Sequence, residues 1–269
     1  PHPSVQPRSA SHAWILADRL GRSPAARPDP AVGEHHVVDS HRHHRGPYSG
    51  AAGFVHAVWP RLERERPDLI PPHLLTLLSV APEIGKTFPV PPEVTAAFRF
   101  SREGNTRSWT LRLAHGLVDF FLAYFRHLSP AGNSITFEQV AEADPIDREF
   151  MGVLVRRADP RRLMVRICCA SEAIDEPLAG TLRSLDRVIV TETDAVGSAD
   201  AAAHVDADCC SAEGEAAYAA LPEATRRSLN AARADALEAR DEFTLSLGAI
   251  PFHRARAGDV QRDALQAVE

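Results

Sequence analysis

A chain of 269 residues with 44% hydrophobic and 25% charged residues has an ordinary globular composition, and it is long enough to bury a core without disulfide or metal staples. A formal net charge of −6 argues against the sequence-independent phosphate binding of a basic domain, so nucleic acid is not an expected partner. No apolar run approaches the roughly 18 residues of a membrane span, no secretory signal opens the chain, and the cysteines fall in two adjacent pairs, Cys168-Cys169 and Cys209-Cys210, which rarely close as disulfides; a cytoplasmic, reducing setting is expected.

The opening at Pro1 and the helical pattern up to Glu269 are expected of a segment of a longer protein. Residues 1–33 hold Pro1, Pro3, Pro7, Pro24, Pro28 and Pro30 around one amphipathic stretch, Ser11 to Leu20. They read as a flexible arm with a short helix. Glu34 to Asp39 is a strand candidate, followed by a polar loop and a helix from Ser49 to Glu65, the opening of a βαβ unit. Residues 72–128 read as helices broken at Pro82 and around Pro89 to Pro92. In the last of them Leu117, Phe121, Tyr124, Phe125 and Leu128 recur at three and four residues and make an apolar face.

Ser134 to Phe137 reads as a strand. Asp144-Pro145 then opens a helix with a capping side chain and a proline at its first position. Leu163 to Cys169 and Arg187 to Thr191 are further strands. From Glu215 the pattern is helical, with Leu221-Pro222 as a break. Strands alternating with helices predict an α/β domain over residues 34–205, with a mostly parallel sheet and helices on both faces, and an all-helical arm over residues 206–269.

Phosphate binding in such a fold uses G-x-x-x-x-G-K-[ST] between the first strand and helix, where backbone amides and a lysine surround the phosphates. The loop that stands there on this reading, Ser40 to Ser49, has no lysine, and Pro47 removes one amide donor. Arg45, Gly46 and Ser49 are the residues left to touch ATP or ADP. Gly85-Lys86-Thr87 mimics the end of the motif, but Val80 replaces the leading glycine and a leucine-rich helix precedes it, so the match reads as chance. Glu138 ends an apolar strand, the place from which an acidic residue holds Mg²⁺ or orients water. It is the catalytic candidate, with a plain strand-end carboxylate as the alternative.

The stretch Ile135-Thr136-Phe137-Glu138-Gln139-Val140-Ala141-Glu142-Ala143-Asp144-Pro145 resembles the Walker B region of STAND-type P-loop ATPases, the signal-transduction NTPases of large LuxR-like bacterial regulators. Leu163 to Ser171 is similar to their next sensor strand, and residues 226–240 and 250–259 to the helical arm that leads into tetratricopeptide-like repeats. The resemblance covers roughly residues 34–260. It implies a nucleotide-binding regulatory core using ATP or ADP with Mg²⁺, while the missing lysine and Gln139 in place of a second acid imply a degenerate one.

His35, His36, His41, His43, His44 and His56 crowd a short segment. His41, His43 and His44 are the candidates for a Zn²⁺ or other transition-metal site, with a histidine-rich surface loop as the alternative. Arg156, Arg157, Arg161, Arg162 and Arg166 suit either an anion-binding surface or a solvated turn. His115 and Asp119 lie one helical turn apart and read as an ordinary helix-surface pair. The leading expectation is a pseudo-NTPase module that regulates or scaffolds through a protein partner or small-molecule effector. The rivals are an enzyme reusing the pocket at the strand ends, with or without a histidine-bound metal, and an ATPase with arginine in the lysine's role.

Overall fold

The computed structural model describes residues 11–17, 33–94, 106–128, 132–170, 174–176, 178–189, 201–206 and 212–259. The chain is an α/β protein with a helical C-terminal region. Its sheet has five parallel strands, β1 (Ala13–Leu16), β2 (His35–Asp39), β3 (Asn133–Glu138), β4 (Leu163–Cys169) and β5 (Asp186–Ile189), in the spatial order β2-β3-β4-β1-β5. The segments read as neighbouring strands from sequence, β2, β3 and β4, do lie side by side, with β2 on the edge.

One expectation is overturned inside the proline-rich arm. Ser11 to Leu20 was expected to carry a short helix, but Ala13–Leu16 is a strand clasped between β4 and β5. A strand with neighbours on both sides of an all-parallel sheet is an uninterrupted apolar run, and Ala13-Trp14-Ile15-Leu16 is one. The remainder of that arm, residues 1–10 and 18–32, lies outside the described residues, as do Cys209 and Cys210.

Side chains alternate across each strand. On one face Val38, Phe137, Ile167 and Trp14 stand in register. They join the core built by α1 (Ser49–Glu65), α2 (Ile70–Val80), α3 (Thr106–Arg126), α4 (Pro145–Arg157) and α5 (Leu178–Leu182). The apolar face of α3 supplies Phe121, which meets Phe137 at 6.5 Å and Phe150 of α4 at 5.0 Å. Such aromatic contacts add to the area they bury. The opposite face carries a polar row instead, Thr136 beside Arg166 and Glu138 beside Asp39. After β5 come α6 (Ala201–Asp206), α7 (Ala212–Ala220), α8 (Glu223–Glu238), α9 (Phe243–Leu247) and α10 (Ala249–Ala257), with α8 packed along α10. Among the described residues no helix is long and apolar enough to cross a membrane.

Candidate functional site at the carboxyl edge of the sheet

In a parallel sheet ligands collect at the carboxyl ends of the strands, where successive connections leave in opposite directions. Here that divergence lies at β1 and β4: the chain after β1 travels to β2 on one side, and the chain after β4 crosses β1 to reach β5 on the other. Sequence reasoning looked for the phosphate loop after β2 because β1 had not been recognised as the first strand. The sequence after β1 contains Gly21-Arg22-Ser23, the last three positions of the phosphate motif with arginine for lysine and with Leu16 at the leading glycine.

The loop after β2, residues 40–48, is held tightly. Tyr48 caps α1 in the left-handed conformation, φ 61°, with its ring buried at 6% exposure in the core; a non-glycine residue accepts that conformation only when its surroundings fix it. Ser49 Oγ accepts the Arg45 amide at 2.9 Å and donates to the Gly46 carbonyl at 2.9 Å. The amides that open α1 are also engaged: Gly50 N–H donates to Asp147 Oδ2 at 2.7 Å and Ala51 N–H to Asp147 Oδ1 at 3.3 Å. Asp147 belongs to the first turn of α4 and is fully buried. Burial pushes its carboxyl up to about 7, against the pull of those two amides. A helix N-terminus attracts an anion through free amides and its dipole, and here the chain's own carboxylate already occupies the position.

Arg45 points away from α1 toward the arm. Its Nη1 donates to Glu242 Oε2 and Thr244 Oγ1, both at 2.8 Å, and to Glu83 Oε1 at 3.2 Å. Thr244 and His56 also hydrogen-bond Glu83 Oε1, His56 at 2.7 Å. Burial works against a charge on Glu83, yet the hydrogen bonds from His56 and Thr244 outweigh it and bring its carboxyl down to about 2. Gly46, at φ 72°, lies under the arm: a side chain there would meet Leu247 Cβ at 2.8 Å, and one on Gly248 would meet Gly46 N at 2.6 Å. Ala249 N–H closes the contact on the His44 carbonyl at 3.2 Å. The loop thus binds the arm backbone to backbone.

Glu138, Arg45 and Ser49 do come together, lining one cavity of about 380 Å³ with Asp39 and His44. Gly46 does not line it. Glu138 is nearly buried at 7% exposure and is the register partner of Asp39. Asp39 accepts from the His41 amide at 2.9 Å and pairs with His44 Nε2 at 3.2 Å. The rings of His41, His43 and His44 lie next to one another, with centroids 3.8 Å and 4.1 Å apart and successive planes tilted by 52° and 54°. Among the described residues, the ligand atoms that converge are those of His56, Glu83 and Glu242, within 4.8 Å of one another. Arg45 provides the cation at that point.

Two further sequence candidates have structural partners. Lys86 of the Gly85-Lys86-Thr87 decoy pairs with Asp241 on the arm, and Asp119 is held by Arg157 at 2.7 Å, with His115 near the same guanidinium. Sequence reasoning missed Glu83, Asp147 and Glu242 altogether. Their partners lie 38, 97 and 197 residues away along the chain, and no local pattern marks such pairs. Comparison of the chain with known protein families, with characterised proteins and with solved structures returns no match.

Proposed function

We propose that this chain is a degenerate nucleotide-binding module of the STAND type that regulates or scaffolds within a larger bacterial protein and does not turn over ATP. The observation that supports this reading is the commitment of Arg45, in the loop after β2, to Glu242 and Thr244 of the arm, together with Arg22 standing where the phosphate motif has lysine in the sequence after β1. A loop that spends its donors on the protein itself serves to fix the position of the arm relative to the sheet, which is the task of a module that relays an input through an attached helical or repeat region. Calorimetric titration with ATP and with ADP in Mg²⁺ tests it. The reading expects no sub-micromolar binding and no phosphate release; tight binding with turnover would end it.

One rival has specific support. Gly21-Arg22-Ser23 come after β1 in sequence, and Glu138 with Asp39 lines the carboxyl edge, which suits an ATPase with arginine in the lysine's role. In that case Glu138→Gln abolishes turnover, and an unchanged rate removes the rival.

A further inference from the structure

We propose that the cleft between the histidine loop and the helical arm binds a small phosphorylated molecule, whose phosphate dianion is held by Arg226, Arg256 and the hydroxyl of Tyr218. This site is separate from any nucleotide pocket at β1 and does not depend on one. The cleft encloses about 360 Å³, the scale of a small-molecule site and too confined for a folded partner. His41, His43 and Gln139 bring the carboxyl edge of the sheet to it, His204 and Val205 of α6 line it, and α7, α8 and α10 close it from the arm.

The arginines differ from their neighbours. Arg227 pairs with Glu223, Arg254 with Asp235 and Glu238, and Arg240 with Glu242. Among the described residues Arg226 and Arg256 have no carboxylate partner and lie against rings instead. Arg226 sits 6.0 Å from the centre of Tyr218, with its Nε buried and unpartnered. Arg256 sits 4.1 Å above Phe252, which itself stacks on His43 at 4.2 Å and 11°. Stacking fixes a guanidinium plane and leaves its N–H groups for an oxyanion.

The hydroxyl of Tyr218 is similarly set. Asn230, 1% exposed, donates its amide to Tyr218 Oη at 2.7 Å and accepts at Oδ1 from His253 Nδ1–H at 2.9 Å. Since the Tyr218 oxygen is already accepting, its proton is available to an acceptor. Tyr218, Arg226 and Arg256 also line an adjoining cavity of about 390 Å³ that opens to Gly258. The three donors therefore stand where two hollows meet, with room on either side for the rest of a ligand. The carboxylates on the two hollows are Glu215, exposed on the rim of the first, and Glu223, paired with Arg227, on the second. A molecule held there touches the loops after β2 and β3 and three arm helices at once, so its binding tightens the junction between arm and sheet.

The experiment is calorimetric titration of the full chain at low salt with inorganic pyrophosphate and, separately, with ribose 5-phosphate. Saturable binding of either is expected, weakened about tenfold by Arg226→Gln and by Arg256→Gln, and about threefold by Tyr218→Phe. Arg64→Gln, on the exposed side of α1, is expected to leave affinity unchanged. Thermal melts establish that each variant is folded; if an arginine variant is not, Tyr218→Phe decides. The proposal is overturned by absence of saturable binding to both probes up to about 10 mM. It is equally overturned by Arg64→Gln weakening binding as much as Arg226→Gln, or by folded cleft variants that bind as well as the parent.

Discussion

Two buried carboxylates flank the loop between β2 and α1, and the chain treats them in opposite ways. Glu83 faces Arg45, His56 and Thr244 and is held down to about 2. Asp147 faces only the amides of Gly50 and Ala51 and is pushed up to about 7. The difference lies in the donor set. The hydrogen bonds from His56 and Thr244 more than offset what burial takes from the charge on Glu83, whereas at Asp147 two amides and a helix dipole offset only part of it. One site consequently behaves as a fixed ionic tie between sheet and arm, and the other as a cap whose charge depends on pH.

The largest effect should come from removing the tie. Arg45→Met leaves Glu83 and Glu242 without their shared cation, and a loss of about 3–5 kcal/mol in chemical unfolding is expected; a loss below about 1 kcal/mol would place the pair in effect at the solvent-screened surface. Next, Asp147→Ala removes the cap from two amides at the start of α1 and should cost about 1–2 kcal/mol. If the variant is as stable as the parent, solvent has access to that helix end and the site is not closed.

The smallest effects are in the pH dependence, and they differ in sign. For Glu83 the folded pKa is depressed from an ordinary 4.5, so its contribution is present above that pH and is lost as the pH falls from 4.5 toward about 2. For Asp147 the folded pKa is raised from an ordinary 3.8, so its contribution is full below that value and is lost as the pH rises from 3.8 to about 7. Each slope is at most about 1.4 kcal/mol per pH unit. Unfolding midpoints measured across pH should therefore show Glu83→Gln flattening only the acid limb and Asp147→Asn only the limb approaching neutrality. A single variant that flattened both would show that the two groups titrate together.

The legibility of these features in sequence follows their range. The helix expected from about Ser49 to Glu65 is found at Ser49–Glu65, because the polar loop and the strand before it are local signals. Asp144 was readable as a cap and does accept the Ile146 amide at 2.9 Å. The strand over Ala13 to Leu16 was not readable, since four apolar residues among prolines and arginines fit either period and only the pairing with β4 and β5 decides between them. Arg45 was singled out as a phosphate ligand, whereas it is held by Glu83 and Glu242, whose distance along the chain left no local signal. Histidine density drew attention to a metal at His41, His43 and His44, while the converging ligand atoms belong to His56, Glu83 and Glu242.

The central claim is that the loop after β2 ties the sheet to the arm through Arg45. A double-mutant cycle of Arg45→Met with Glu242→Gln, read as unfolding free energy at neutral pH, measures that tie directly. A coupling of about 2 kcal/mol or more is predicted for a buried, hydrogen-bonded pair. Additive effects, with coupling near zero, would contradict it.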